Sequence, residues 1–124
     1  MKQILLFLLF IISFTCFSQT QSEMNFNANE SYEKADKELN SVYQQILTKS
    51  KSDTAFIKNL KVSQRIWIKF RDAELKIRFP DREPEYYGSM YPMCVSMYLE
   101  KLTKERIATL KEFLDGSIGS DGCN

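Results

Sequence analysis

The chain has 124 residues, 44% of them hydrophobic, with 17 basic residues against 16 acidic ones and no histidine. That length suits one domain with a single core and leaves no room for two. A balance this near neutral lacks the basic footprint of nucleic-acid binding. The missing imidazole removes the commonest general base and metal ligand, and no cofactor is expected.

Met1-Lys2-Gln3 leads into an apolar run from Ile4 to Ile12, followed by Ser13, Thr15, Cys16, Ser18 and Gln19. Charge, apolar core and small residues in that order predict a secretory signal peptide over 1–18, cleaved after Ser18. A membrane-spanning helix needs about 20 apolar residues, roughly twice this run, so no transmembrane span is expected. The expected location is the periplasm or the exterior. Cleavage would also remove Lys2 and leave the two charge signs equal. Cys16 opens a second route, lipid modification and membrane anchoring, but Phe14 and Thr15 ahead of it fit such a site poorly.

A helical domain is expected over 19–115, with a glycine- and serine-rich tail over 116–124. Thr20 with Glu23 three residues on is a capping-box signal. Tyr32, Ala35, Leu39, Val42, Tyr43, Ile46 and Leu47 then recur at three- and four-residue spacing, which predicts a helix over 21–49. Residues 50–53 form a polar turn in which Ser52 or Asp53 can cap the next helix. A loop this short makes the first two helices an antiparallel hairpin.

The second helix, predicted over 53–79, carries Phe56, Leu60, Ile66, Trp67, Phe70, Ala73 and Ile77 around most of its circumference. Lys58, Lys61, Arg65, Lys69, Asp72 and Lys76 share one narrow side. So wide an apolar arc predicts a central helix flanked by two others. Pro80 ends it, and residues 80–88, with two prolines and a glycine, read as an exposed loop. Ser89 is the expected cap of a third helix, with Pro92 in its first turn. That helix carries Tyr91, Val95, Tyr98, Leu102, Ile107, Leu110, Phe113 and Leu114 to a stop at Asp115-Gly116. No strand of useful length and no repeat is visible. The fold class is all-α, an up-down bundle of three long helices.

Asp36, Asn40, Gln64, Arg71, Glu74 and Arg106 fall within the apolar faces. An unpaired buried ion costs several kcal/mol, so Asp36 or Glu74 is expected to pair with Arg71 or Arg106 across helices. The same carboxylates could serve acid–base or glycoside chemistry, but such residues abound in any soluble chain and the structural reading is preferred. Trp67 reads as core. Met90, Met93 and Met97 with Tyr91 and Tyr98 form either an adaptable contact surface or gap-filling core. In the loop, Asp81, Glu83 and Glu85 precede Tyr86 and Tyr87. These make either a binding surface or a solvated connection whose tyrosines fold back on the bundle end. Cys94 and Cys123 are either bonded or two free thiols.

Three segments carry a resemblance: residues 35–43, residues 60–74, and residues 88–90 with 102–106 and Leu110. Asp36, Leu39, Asn40 and Tyr43 in the first, Gln64, Trp67, Phe70 and Arg71 in the second, and Thr103 and Arg106 in the third resemble the signatures of the LprI-type lysozyme-inhibitor family. The resemblance spans nearly all of the expected mature chain and implies an exported, helical, non-enzymatic protein. Family members commonly carry cysteines where this chain has Asn27, Leu75 and Tyr98, which implies that packing replaces disulfides here.

Two readings follow from that resemblance. In one, the protein blocks a lysozyme-type muramidase, with the acidic loop meeting a basic enzyme. In the other, it binds another envelope protein, through the methionine–tyrosine surface or the basic side of the second helix, without lysozyme contact. An enzyme would need a concave pocket that a slim bundle rarely offers.

Overall fold

The computed structural model describes residues 2–83 and 85–116, with side chains from Thr20 onward. It comprises α1 (Lys2–Lys49), α2 (Thr54–Arg78) and α3 (Tyr91–Asp115), with no strand among the described residues. α1 runs back beyond the expected start near Gln21, because no glycine or proline interrupts 2–20. Among the described residues no helix is long and apolar enough to cross a membrane.

Local signals explain the helix ends. The Asp53 carboxylate accepts the Phe56 backbone N–H at 2.9 Å, a side-chain N-cap that satisfies one of the four unpaired donors of a helix start. Pro80 follows the C-cap, Phe79. Ser89 does not cap α3. The N-cap is Met90, with no side-chain cap bond, and Pro92 sits in the first turn where its missing N–H goes unneeded. Gly116 closes α3 at φ 72, a left-handed position that favours glycine.

Cross-helix contacts give the directions. Asn25 Nδ2 donates to the Ser89 carbonyl and Lys49 Nζ to that of Leu114, so α1 and α3 run the same way. Phe56 meets Phe113, Gln64 meets Arg106 and Glu74 meets Tyr98, so α2 runs against α3. This is the expected up-down-up order.

The core sits toward the end where α1 and α3 finish. Leu39, Val42 and Ile46 of α1, Leu60 of α2, and Ile107 and Leu110 of α3 are buried together. Tyr43, Leu47, Phe56, Trp67, Phe113 and Leu114 pack around them.

The second helix is not the enclosed one. The closest backbone approach is between α1 and α3, and α2 stands further off from both. Short side chains explain the close pair: Ala35 on α1 and Ser96 and Thr103 on α3 are buried, and residues this small let two backbones near each other. α2 presents Phe56 and Trp67 inward, and rings of that size hold its axis away. Leu60 is its one buried residue among those described. Its inward stripe is Phe56, Leu60, Gln64, Trp67, Arg71 and Glu74, all buried or half-buried. Val62, Ile66, Phe70, Ala73 and Ile77 make a second stripe, and all five are exposed.

Candidate functional site

The family-motif residues divide into core and surface. Leu39 is buried, and Tyr43 and Trp67 pack on the core. Thr103 is fully buried, with no partner for its hydroxyl among the described residues. Phe70, expected inside, is half in solvent, since its side of α2 faces away from both neighbours. Asn40 is exposed and donates to the half-buried Asp36 carboxylate at 3.2 Å, one turn back on the same helix.

The expected interhelical ion pairs do not form. Arg71 bonds its sequence neighbour Asp72 through Nε and Nη2 at 3.0 and 2.9 Å, and its guanidinium lies 5.5 Å from the Trp67 ring centre. Arg106 donates instead to Gln64 Oε1 at 3.1 Å and Ser63 Oγ at 3.0 Å. Glu74 receives the Tyr98 hydroxyl at 3.4 Å. The physical reason is the stand-off of α2. Its inward polar groups are only half-buried, so water offsets their charge and no carboxylate has to cross the gap. Burial still lowers the Arg106 pKa from its ordinary value. Tyr32 on the facing side of α1 is raised, first by burial and then by Asp36 and Asp72, against the opposing pull of Arg71.

The three positions at which the resemblance leads one to expect cysteine lie on three different helices. Leu75 on α2 is half-buried, and so is Tyr98 on α3, whose ring lies between Arg78 and Phe79. Asn27 is exposed on α1. Cys94 is a half-buried free thiol, and Cys123 lies outside the described residues.

At the opposite end from the core, residues 79–91 build an aromatic corner. The Phe79 ring meets Tyr87, Tyr91 and Tyr98 edge-on at 5.6 to 6.3 Å between centres. Tyr87 stacks on Tyr91 at 4.8 Å and donates its hydroxyl to the Pro80 carbonyl. Gly88, at φ 67, supplies the left-handed turn that returns the chain to α3. Tyr87 therefore folds back on the bundle. Tyr86 does not: it is 67% exposed, standing edge-on to Tyr87 with the Arg82 guanidinium 5.8 Å over its ring. Asp81, Glu83 and Glu85 of the same loop are all exposed, three carboxylates against the one guanidinium of Arg82. A shallow cleft of about 180 Å³ runs between Phe79, Asp81, Glu83, Tyr87 and Tyr91. Too small for a drug-sized ligand, it could take one protein side chain.

Sequence periodicity missed the neighbours of this corner. Asn25 reaches Ser89, which brings the exposed Met24 and Phe26 of α1 to the same end as Tyr86 and Met90. Met90, the N-cap of α3, and Met97 within it are exposed, and Met93 is half-buried. Only the pairing of α1 with α3 unites these positions, so no local pattern could have found them.

The sequence model of one protein family, described as "Lysozyme inhibitor LprI", matches residues 16–110. An uncharacterized protein of Rhizobium meliloti (strain 1021) is 34% identical over 110 residues, covering 79% of this chain and 76% of that relative. No solved structure matches.

Proposed function

The chain belongs to the LprI lysozyme-inhibitor family, and on that premise we propose that it is exported, binds a lysozyme-type cell-wall hydrolase and blocks it with the loop end of its bundle. The observation that carries this reading is the exposure of Asp81, Glu83 and Glu85 in the same loop as the projecting Tyr86, on a base stiffened by Phe79, Tyr87 and Tyr91. An exposed aromatic anchor on a packed base, in a loop rich in charge, suits a protein interface. Lysozymes are often strongly basic, and opposed charge speeds encounter and sets register. The protein acts by occlusion in this reading and performs no chemistry.

Turbidity clearance of bacterial cell walls by a panel of muramidases tests it. The protein should slow at least one member, and inhibition should weaken as salt rises. Combined Asp81→Lys, Glu83→Lys and Glu85→Lys substitution should cut the inhibition at least tenfold. Full inhibition by that variant would remove the loop from the interface, and a panel untouched by the wild-type chain would refute the inhibitor reading itself.

A further inference from the structure

The second stripe of α2 has no role in the bundle or in the loop-end site. Val62, Ile66, Phe70 and Ile77 are 46%, 61%, 51% and 74% exposed, and with Ala73 they follow one another at four- and three-residue steps. That spacing keeps them on one line down most of the helix. The grooves on either side of α2 are lined by other residues. Lys61, Gln64, Arg65 and Ile68 face α1 in one, and Phe56, Asn59, Leu60 and Ser63 face α3 in the other. The stripe is thus a convex ridge between two grooves.

Its charge identifies the occupant. α2 carries seven basic residues against two acidic ones, while the whole chain is only +1. Lys58, Lys69 and Lys76, with Arg65 at the outer rim of the α1-side groove, form the row next to the apolar ridge, all exposed and without ion-pair partners among the described residues. Two copies meeting antiparallel on this ridge would set cation row against cation row, and a basic lysozyme would be repelled. A convex ridge also needs a matching groove in any protein partner, whereas a fluid surface deforms around it.

We propose that the outer face of α2 docks on an anionic phospholipid bilayer, with Val62, Ile66, Phe70 and Ile77 entering the headgroup–acyl boundary and Lys58, Arg65, Lys69 and Lys76 meeting the lipid phosphates. An interfacial helix is recognised by these two features together, an apolar line and a lysine- and arginine-rich flank. Each cation near an anionic leaflet strengthens binding about fivefold at physiological salt. This assignment is independent of muramidase inhibition and would hold the bundle against the envelope.

The test needs a readout on α2 itself, because the apolar run at 4–12 would bind vesicles on its own. In the full chain, Phe70→Trp combined with Trp67→Phe places the single indole on the ridge. Vesicles of phosphatidylglycerol and phosphatidylcholine should shift its emission to the blue, and brominated lipid should quench it. Vesicles of phosphatidylcholine alone should do neither. Adding Lys69→Gln and Lys76→Gln should raise the lipid concentration for half-maximal shift about 25-fold. Circular dichroism identifies any variant that fails to fold, and Ile77→Trp with Trp67→Phe then serves as the second probe. No blue shift at either position, or one equally strong on neutral vesicles, would overturn the proposal. So would a shift produced instead by a soluble acidic polypeptide, or one that tracked dimer formation in sedimentation.

Discussion

Stability should be lodged in the α1–α3 seam and largely absent from the outer ridge of α2, and a pair of isoleucine truncations separates the two. Ile46 is 0% exposed and packs within the core cluster. Ile46→Ala removes three buried carbons and leaves a void the neighbouring helices can only partly close, for a loss of about 3–4 kcal/mol. In a domain of this size about 1 kcal/mol moves Tm by roughly 4–8 °C, so the variant should melt at least about 12 °C below wild type. Ile66 is as apolar but lies on the ridge. Ile66→Ala gives up little buried area and gains the better helix former, so its effect should stay within about 0.5 kcal/mol. Thermal and urea unfolding followed by circular dichroism at two protein concentrations would measure both. If Ile66→Ala or Ile77→Ala cost as much as Ile46→Ala at either concentration, α2 would be enclosed in solution and the exposed ridge would be wrong.

Arg106 ties α2 to α3 through Gln64 and Ser63, and Arg106→Ala should cost about 1 kcal/mol, chiefly by leaving the half-buried Gln64 carbonyl without its donor. An unchanged urea midpoint would show those bonds to be incidental. Tyr32 supplies a pH dependence of defined sign. Its folded pKa lies above the ordinary 10.0, chiefly through burial, so folding holds the proton more tightly than the unfolded chain does. Its contribution to stability is complete below that value and declines as pH rises above it. Wild type should therefore lose stability more steeply than Tyr32→Phe across that window, and parallel curves would refute the assignment.

Some of this was legible in the residues themselves. Asp53 before a run of apolar spacing, Pro80 after Phe79 and Gly116 after Asp115 act through neighbours in the chain, so they located the ends of α2 and the stop of α3 without any tertiary information. The seam residues Ala35, Leu39, Val42 and Ile46 were readable too, because α1 offers one apolar face and has no choice of what to bury. Arg71 and Arg106 were misjudged for the converse reason. A position on an apolar face is dry only if a neighbour closes over it, and α2 stands far enough off that local partners and water suffice.

What the sequence by itself determined is therefore the number of helices, their order and direction, and membership of a helical family through the residues around Asp36, Trp67 and Arg106. Only the tertiary structure decided which of the two apolar stripes on α2 is covered, and that Met24, Phe26, Tyr86 and Met90 gather at one end. Periodicity says which side chains share a face of one helix. Which face is buried depends on how closely another backbone can come, and short side chains on α1 and α3 brought those two together.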